Sequence, residues 1–264
     1  MFPATNINHK ALVDFHFECN QGMYFSEYIK RQGYVLLFSD LVEDYYWNYV
    51  SHITRDLDEV LRESRLVFVD RKRSLALYLT PYSEVKESNI PSSFKKAGVD
   101  AWMIMSDASK LATYQIPKHL AVRAIGMNER EEYVKAFQLA YGSSDPNDPY
   151  GNLPPSYSQS LSRSFENTPK GYEKVYAGAL IEGIMVGVAC MLWKNQVAGV
   201  YGVGTVAAYR RQGVATSLMA FLYKEALKHG INTIMLQTEE GSYNDILYQK
   251  IGFTTVFRGL YYTE

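Results

Sequence analysis

The sequence predicts an α/β (α+β) protein whose mixed, mostly antiparallel central sheet is flanked by helices and built as two similar halves. Three observations carry that expectation. Apolar runs over residues 174–181, 184–193 and 196–205 are separated by the turn pairs Glu182-Gly183 and Lys194-Asn195, the pattern of an antiparallel meander. Val214, Leu218, Phe221, Leu222 and Ala226 then recur at helical spacing until His229-Gly230 stops them. Finally, LYLT ending at Thr80 and FKKAGV over residues 94–99 echo MLQT ending at Thr238 and YQKIGF over residues 248–253, the mark of an internal duplication.

In the first half, residues 33–38 read as a strand, 42–53 as an aromatic-rich helix and 57–63 as a second helix. Residues 66–69 and 75–79 read as strands around the basic turn Arg71-Lys72-Arg73, a solvated hairpin tip. Ser, Asp, Thr and Pro between residues 105 and 120 break the pattern, which sets a boundary near Lys118 and divides the chain into 1–118 and 119–264. The second half opens with a strand over 120–125. A helix follows, started by Asn128 with Glu131 three residues on as a capping box, carrying Tyr133, Val134, Phe137 and Ala140 on one face and ending at Tyr141. The Pro-, Gly- and Ser-rich stretch YGSSDPNDPYGNLPPS is loop, and residues 158–165 make a short helix before the meander. After the long helix come a strand over 231–237, a short helix over 244–250 and a last strand over 254–262.

Composition narrows the function. With 264 residues, 47% hydrophobic and 21% charged, the chain has the makings of a packed core. Its 27 Lys and Arg against 28 Asp and Glu leave a net charge of -1, so no overall field favours nucleic acid or an anionic membrane. Cys19 and Cys190 form neither a disulfide framework nor a zinc spacing, and the five histidines never fall at ligand intervals, so no metal is expected. Reduced thiols and a start without a basic-then-apolar segment suggest a cytoplasmic protein. The apolar stretch 177–193 approaches a membrane span in length, but Glu182-Gly183 divides it into two strands.

The chemistry concentrates after the meander. Gly202-Val203-Gly204-Thr205 runs through a short loop into Arg210-Arg211-Gln212-Gly213-Val214-Ala215 at the start of the long helix. Bare amides at a helix N-terminus, the helix dipole, two arginines and small residues that admit a bulky group together favour an anionic diphosphate. Arg210, Gly213 and Ala215 spell R-x-x-G-x-A between a strand and an amphipathic helix, and Asn244, Tyr248 and Gly252-Phe253 follow as N-D-I-L-Y-Q-K-I-G-F. With both blocks in this order, the chain over about residues 119–264 resembles the GNAT N-acetyltransferase superfamily.

That resemblance implies a GNAT fold, acetyl-CoA as acyl donor and transfer to a primary amine of a small molecule, amino acid or peptide by direct attack on the thioester. Val203 and Thr205 would offer main-chain groups to the pantetheine arm and the acetyl carbonyl, with the strand splaying from its neighbour. Arg210 would add charge, and the amides of Arg211, Gln212, Gly213, Val214, Ala215 and Thr216 would take the diphosphate. Asn244 would bind the pantetheine, and Tyr248 would protonate the leaving thiolate as general acid. The sequence departs from the family on the strand before the signature: where a carboxylate commonly accepts the amine's proton stands Gly199, beside Tyr201 and Val203 on one face. The base is therefore open among Glu239, Glu240, Glu173, or water relayed by Tyr201. Acceptor recognition is expected from Tyr141, Tyr150, Tyr157, Asp145 and Asp148 around the long loop, with Tyr201 and Glu239 nearby. The first half has no R-x-x-G-x-A and has Phe94 in the place of Tyr248, so it reads as a degenerate, non-catalytic copy. Other readings are a protein lysine or N-terminal acetyltransferase and a non-catalytic acyl-CoA-binding sensor or scaffold. The expected partners are an amine acceptor, no nucleic acid and no membrane, in a monomer or homodimer.

Overall fold

A computed structural model describes residues 8–142 and 152–264. In the first half, α1 (His9–Cys19), β1 (Glu27–Arg31), β2 (Tyr34–Phe38), β3 (Tyr49–Ser51), α2 (Leu57–Asp70), β4 (Ala76–Leu79) and β5 (Lys95–Met105) follow one another, then the short α3 (Ser109–Ala112). The second half holds β6 (Ala121–Ile125), α4 (Arg130–Tyr141), α5 (Pro155–Ser164), β7 (Glu173–Ile181), β8 (Ile184–Lys194), β9 (Val197–Thr205), α6 (Val214–Lys228), β10 (Thr233–Glu239), α7 (Tyr243–Lys250) and β11 (Phe253–Thr263). The described strands form one sheet in the order β1-β2-β3-β4-β11-β5-β10-β9-β8-β7-β6. No helix among the described residues is long and apolar enough to cross a membrane.

The two halves repeat one sequence of elements: three antiparallel strands, a helix, a strand parallel to the third, and a last strand. β3 pairs β4 in parallel at Val50↔Leu77, and β9 pairs β10 in parallel at Ile234↔Ala198. The closing strands are exchanged. β11 lies antiparallel to β4 of the first half, while β5 lies antiparallel to β10 of the second, and the two exchanged strands pair with each other along most of their length. Side-chain alternation divides the core accordingly. One face carries a single cluster under α1, α4 and α5 that spans both halves, including Phe17, Trp102, Phe137, Cys190 and Met235. On the opposite face α6, α3 and α7 cover one cluster and α2 another.

Several local expectations need correction. Residues 42–53 are not a helix, because Asn48 takes over the main-chain groups a helix would need. Its Nδ2 donates to the carbonyls of Val42 at 2.7 Å and Asp44 at 2.8 Å, its Oδ1 accepts from Ser39 N, and the run ends in β3. Residues 66–69 are not a strand but the last turns of α2, which runs to Asp70, so the basic triplet is a helix end. It is also not simply solvated: Arg71 forks onto Glu27, and Arg73, 10% exposed at its side chain, donates to the carbonyls of Ser39 and Asp40. The expected Asn128 cap is absent: α4 starts at Arg130 without a side-chain cap, after a 3-10 turn, Met127–Glu129, in which Glu129 reaches back to Gly126 N while bound to Arg123. α5 begins at Pro155 rather than Ser158, since Pro suits a first helical turn. The echo of YQKIGF also differs in form: Tyr248 lies in α7, whereas Phe94 precedes β5 and only a 3-10 turn, Glu87–Asn89, stands between β4 and β5.

Candidate active site

The second half opens a gap in its own sheet. β9 and β10 pair only where Thr233, Ile234 and Met235 meet Val197, Ala198 and Gly199, although β9 continues to Thr205 and β10 to Glu239. β9 holds one extra residue against β8 between the pairs Tyr201↔Cys190 and Gly204↔Val188. Such a bulge adds local twist and bends the strand that carries it. β10 is meanwhile held on its other edge by β5 as far as Glu239↔Asp100, so the two strands part. The splay expected around Val203 and Thr205 is present, and it begins beyond Gly199.

The parted end of β9 leads into α6. A 3-10 turn over Ala207–Tyr209 precedes Arg211 (φ 65°) and Gly213 (φ 83°), both left-handed, and α6 starts with no side-chain cap and no acid in its first turn. Its leading N–H groups and positive dipole end are thus free of internal negative charge. Position 213 is confined as well as left-handed: a Cβ there would lie 2.8 Å from Tyr114 Oη. α2, which holds the same place in the first half, differs. Asp56 caps it by accepting from Glu59 N, and Asp58 and Glu59 fill its first turn, leaving an anion no place.

The arginines divide their work. Arg210 donates from Nε to Thr205 O at 3.3 Å and from Nη2 to Ala140 O at 3.2 Å, tying the end of α4 to the end of β9. The exposed Arg211 donates to Tyr243 Oη at 3.1 Å and lies over its ring, and Gln212 donates to Ala208 O. Val214 is buried, which leaves only its main chain for a ligand, while Ala215 and Thr216 are partly exposed. Of the two strand positions expected to meet the pantetheine, Val203 has its carbonyl engaged by Tyr141 Oη at 2.9 Å, and Thr205 is partly exposed.

α7 presents Asn244 and Tyr248 one turn apart on one face. Ser242 caps it through Asp245 N, and Asp245 in turn accepts from Gly241 N. Tyr248 is buried edge-on to Phe253 within the α6-side cluster, and burial raises the phenol's pKa, keeping it protonated. Tyr201 belongs to the opposite face. Its ring folds back so that Oη lies 2.6 Å from where a Cβ of residue 199 would stand, which explains the glycine and excludes a carboxylate there. Tyr201 Oη lies 3.2 Å from His16 Nδ1 and 3.2 Å from Cys19 Sγ, both on α1.

The other candidate bases are placed unequally. Glu173 accepts from Trp193 Nε1 at the start of β7, away from the gap. Glu240 is bound by Arg258. Glu239 ends β10 opposite the buried Asp100 of β5 and lines a depression of about 340 Å³ with Lys96, Ala97, Gly98 and Val99. Burial raises the Asp100 carboxyl to about 7, with Tyr78 and Tyr261 opposing the shift and Glu239 adding to it. Of the acceptor-loop residues, Tyr150, Asp145 and Asp148 lie outside the described residues. Tyr141 lies against Gly204 at the end of β9, whereas the buried Tyr157 donates to Asp44 of the first half.

Residues 139–253 match the family model described as Acetyltransferase (GNAT) family. This part of the chain is a GNAT domain. Similar solved structures include a GCN5-related N-acetyltransferase from Kribbella flavida, at TM-score 0.67 and 17% identity over 99% of this chain and 96% of that one. A functionally unknown conserved protein from Staphylococcus epidermidis aligns at TM-score 0.70 and 12% identity over 98% of both chains. A tandem GNAT protein from the clavulanic acid biosynthesis pathway aligns at TM-score 0.60 and 13% identity over 88% of this chain and 78% of that one. At these identities the likeness concerns the fold. No curated protein matches the sequence.

Beside the GNAT domain stand polar residues that sequence reasoning missed. His16 and Cys19 sit on α1, with Asn20 as its C-cap, a helix absent from the sequence reading, and Asp100 sits on β5, a strand that the reading did not assign. Only the Tyr201 alternation pointed toward them.

Proposed function

We propose that the protein transfers an acetyl group from acetyl-CoA to a primary amine of a small molecule, amino acid or peptide. The observation that carries this reading is the parted β9–β10 edge leading straight to an uncapped α6 N-terminus, while the equivalent helix end of the first half is closed by carboxylates. A thioester carrier suits that geometry: its diphosphate meets the amides from Arg211 to Thr216, and its extended arm runs along the unpaired edges of β9 and β10. Asn244 reaches the arm from α7.

The reaction then proceeds across the sheet. Tyr248 and Tyr201 belong to clusters on opposite faces, so the leaving sulfur and the entering amine have separate sides. A neutral amine attacks the thioester carbon, the C–N bond forms and the C–S bond breaks. The thiolate takes the proton of Tyr248, the ammonium nitrogen sheds one proton to water beside Tyr201, and the Tyr248 phenolate recovers a proton from solvent. Free thiol and N-acetyl product result. Tyr141 and Glu239 border the amine's side, and the first half serves as a non-catalytic wall whose own anion site is capped.

Thiol release from acetyl-CoA with a panel of primary amines tests the reading, with product mass read alongside. Amine-dependent thiol release with an added acetyl mass is expected. Binding of acetyl-CoA with no thiol release for any amine would overturn acyl transfer in favour of a sensor or scaffold.

A further inference from the structure

The first half meets the polar chemistry at the gap around one hydroxyl, that of Tyr201. Tyr201 stands two residues past Gly199, where β9 loses its partner, and its hydroxyl is turned to α1 rather than to its own half. Around that hydroxyl lie His16 Nδ1 and Cys19 Sγ, and Asn20 Nδ2 donates to the same ring nitrogen at 3.1 Å. An amide NH₂ can only donate, so Nδ1 is the acceptor and the ring proton resides on Nε2. Tyr201 then donates to His16, sharing the Nδ1 lone pair with Asn20, while the Cys19 thiol, which also reaches the His16 carbonyl at 3.6 Å, lies against the same hydroxyl; the phenol oxygen keeps its capacity to accept.

The ring is fixed in place. His16 is 3% exposed, stacked on Trp47, edge-on to Phe25 and Trp102, and tied through Asn20, which also donates to the His16 carbonyl at 3.0 Å. Burial among these rings pushes the imidazole pKa down to about 3, so it stays neutral and keeps accepting. Trp47 and Trp102 belong to the first half, as does α1. Such a restrained acceptor costs a buried polar group, which a purely apolar interface would avoid.

We propose that His16 of the first half is a positioning residue for acyl transfer: it holds the Tyr201 hydroxyl so that the phenol oxygen accepts an N–H of the incoming amine and aims its lone pair at the thioester. This rests on the acetyl-transfer reading and deepens it, because it makes the active site a product of both halves. His16 takes no proton from substrate. Its effect passes through Tyr201, and the amine's surplus proton goes to water as before.

The test is a double-mutant cycle on the full chain, using acetyl-CoA and an amine found active in the panel. His16→Phe should lower kcat about tenfold or more, the worth of a net hydrogen bond, with the KM for acetyl-CoA unchanged. His16→Gln, whose amide oxygen can accept, should recover part of that loss. In the Tyr201→Phe background, His16→Phe should cost little further, since the contact is already gone. Acetyl-CoA affinity serves as the check that each variant is folded. Equal cost of His16→Phe in both backgrounds, or His16→Phe turning over like wild type, would overturn the positioning role alone. A wild type that releases no thiol overturns the acetyl-transfer reading and this role with it.

Discussion

In the proposed reaction one hydroxyl on each face of the sheet carries the chemistry, Tyr201 beside the polar His16 and Cys19 and Tyr248 among apolar neighbours. Tyr248 sits among apolar neighbours that raise its pKa, which suits a group that must arrive protonated and give its proton to a leaving thiolate. Tyr248→Phe should therefore lower turnover about 10²- to 10⁴-fold while acetyl-CoA binds nearly as before, read as kcat against coenzyme Kd. Turnover within twofold of wild type would exclude the acid role. Asp100 shows the same physics on a carboxylate. Its folded pKa of about 7 lies above the ordinary value of about 3.9, so burial favours the neutral acid. The stability it contributes is complete below about pH 4 and is lost as pH rises through about 7. Asp100→Asn removes that loss, so its advantage over wild type in urea midpoint should be greater at pH 8 than at pH 5. An equal difference at both pH values would mean that the carboxyl titrates normally. The groups facing it are Tyr78, Tyr261 and Glu239.

At the scale of elements, two helices of similar position have opposite N-termini: α2 ends in Asp56 with acids behind it, and α6 ends in Gly213 with Arg210 and Arg211 before it. Charge at position 213 should therefore separate folding from binding. Gly213→Ala introduces a side chain at φ 83°, at a cost of about 1–2 kcal/mol in stability. Gly213→Asp adds a carboxylate where the diphosphate is expected, and should weaken acetyl-CoA binding at least tenfold beyond Gly213→Ala, as measured by calorimetry at low salt. Equal binding by the two variants would contradict the cradle. This helix was legible in the sequence because its apolar spacing is regular and Gly213 marks its start. The meander was legible for a similar reason, since Glu182-Gly183 and the Lys194-Asn195 turn punctuate three long apolar runs. The first half resisted because its signals are tertiary. Asn48 dismantles an apparent helix through side-chain bonds that no periodicity records, and α1 is set by packing of Phe15, Phe17 and His16 against partners far along the chain. The candidate site divides in the same way: the proposed anion cradle and Tyr248 rest on local patterns, whereas His16 reaches Tyr201 across 185 positions.

For the whole molecule, the exchange of closing strands decides whether the halves can exist apart. A cut near Lys118 would leave residues 119–264 with β10 and β11 but without β5, which lies between them. β5 pairs β10 over five positions, from Ile104↔Met235 to Asp100↔Glu239, and pairs β11 from Met105↔Phe253 to Lys95↔Thr263. Its loss would expose two strand edges at once and remove Met103 and Met105 from beneath α6 and α7 and Trp102 from the opposite core. β11 would lose β4 as well. Exposed edges of that length pair with whatever is available, and side chains cut out of both faces leave cavities rather than a smaller core. The fragment 119–264 should therefore aggregate or remain unfolded when made alone, by size-exclusion profile and near-ultraviolet circular dichroism. Co-expression with residues 1–118 should recover a soluble complex, because the strand exchange itself joins the pieces. A monomeric 119–264 that melts cooperatively and releases thiol from acetyl-CoA would show that β10 and β11 can close on each other, and would take from the first half any part in the active site.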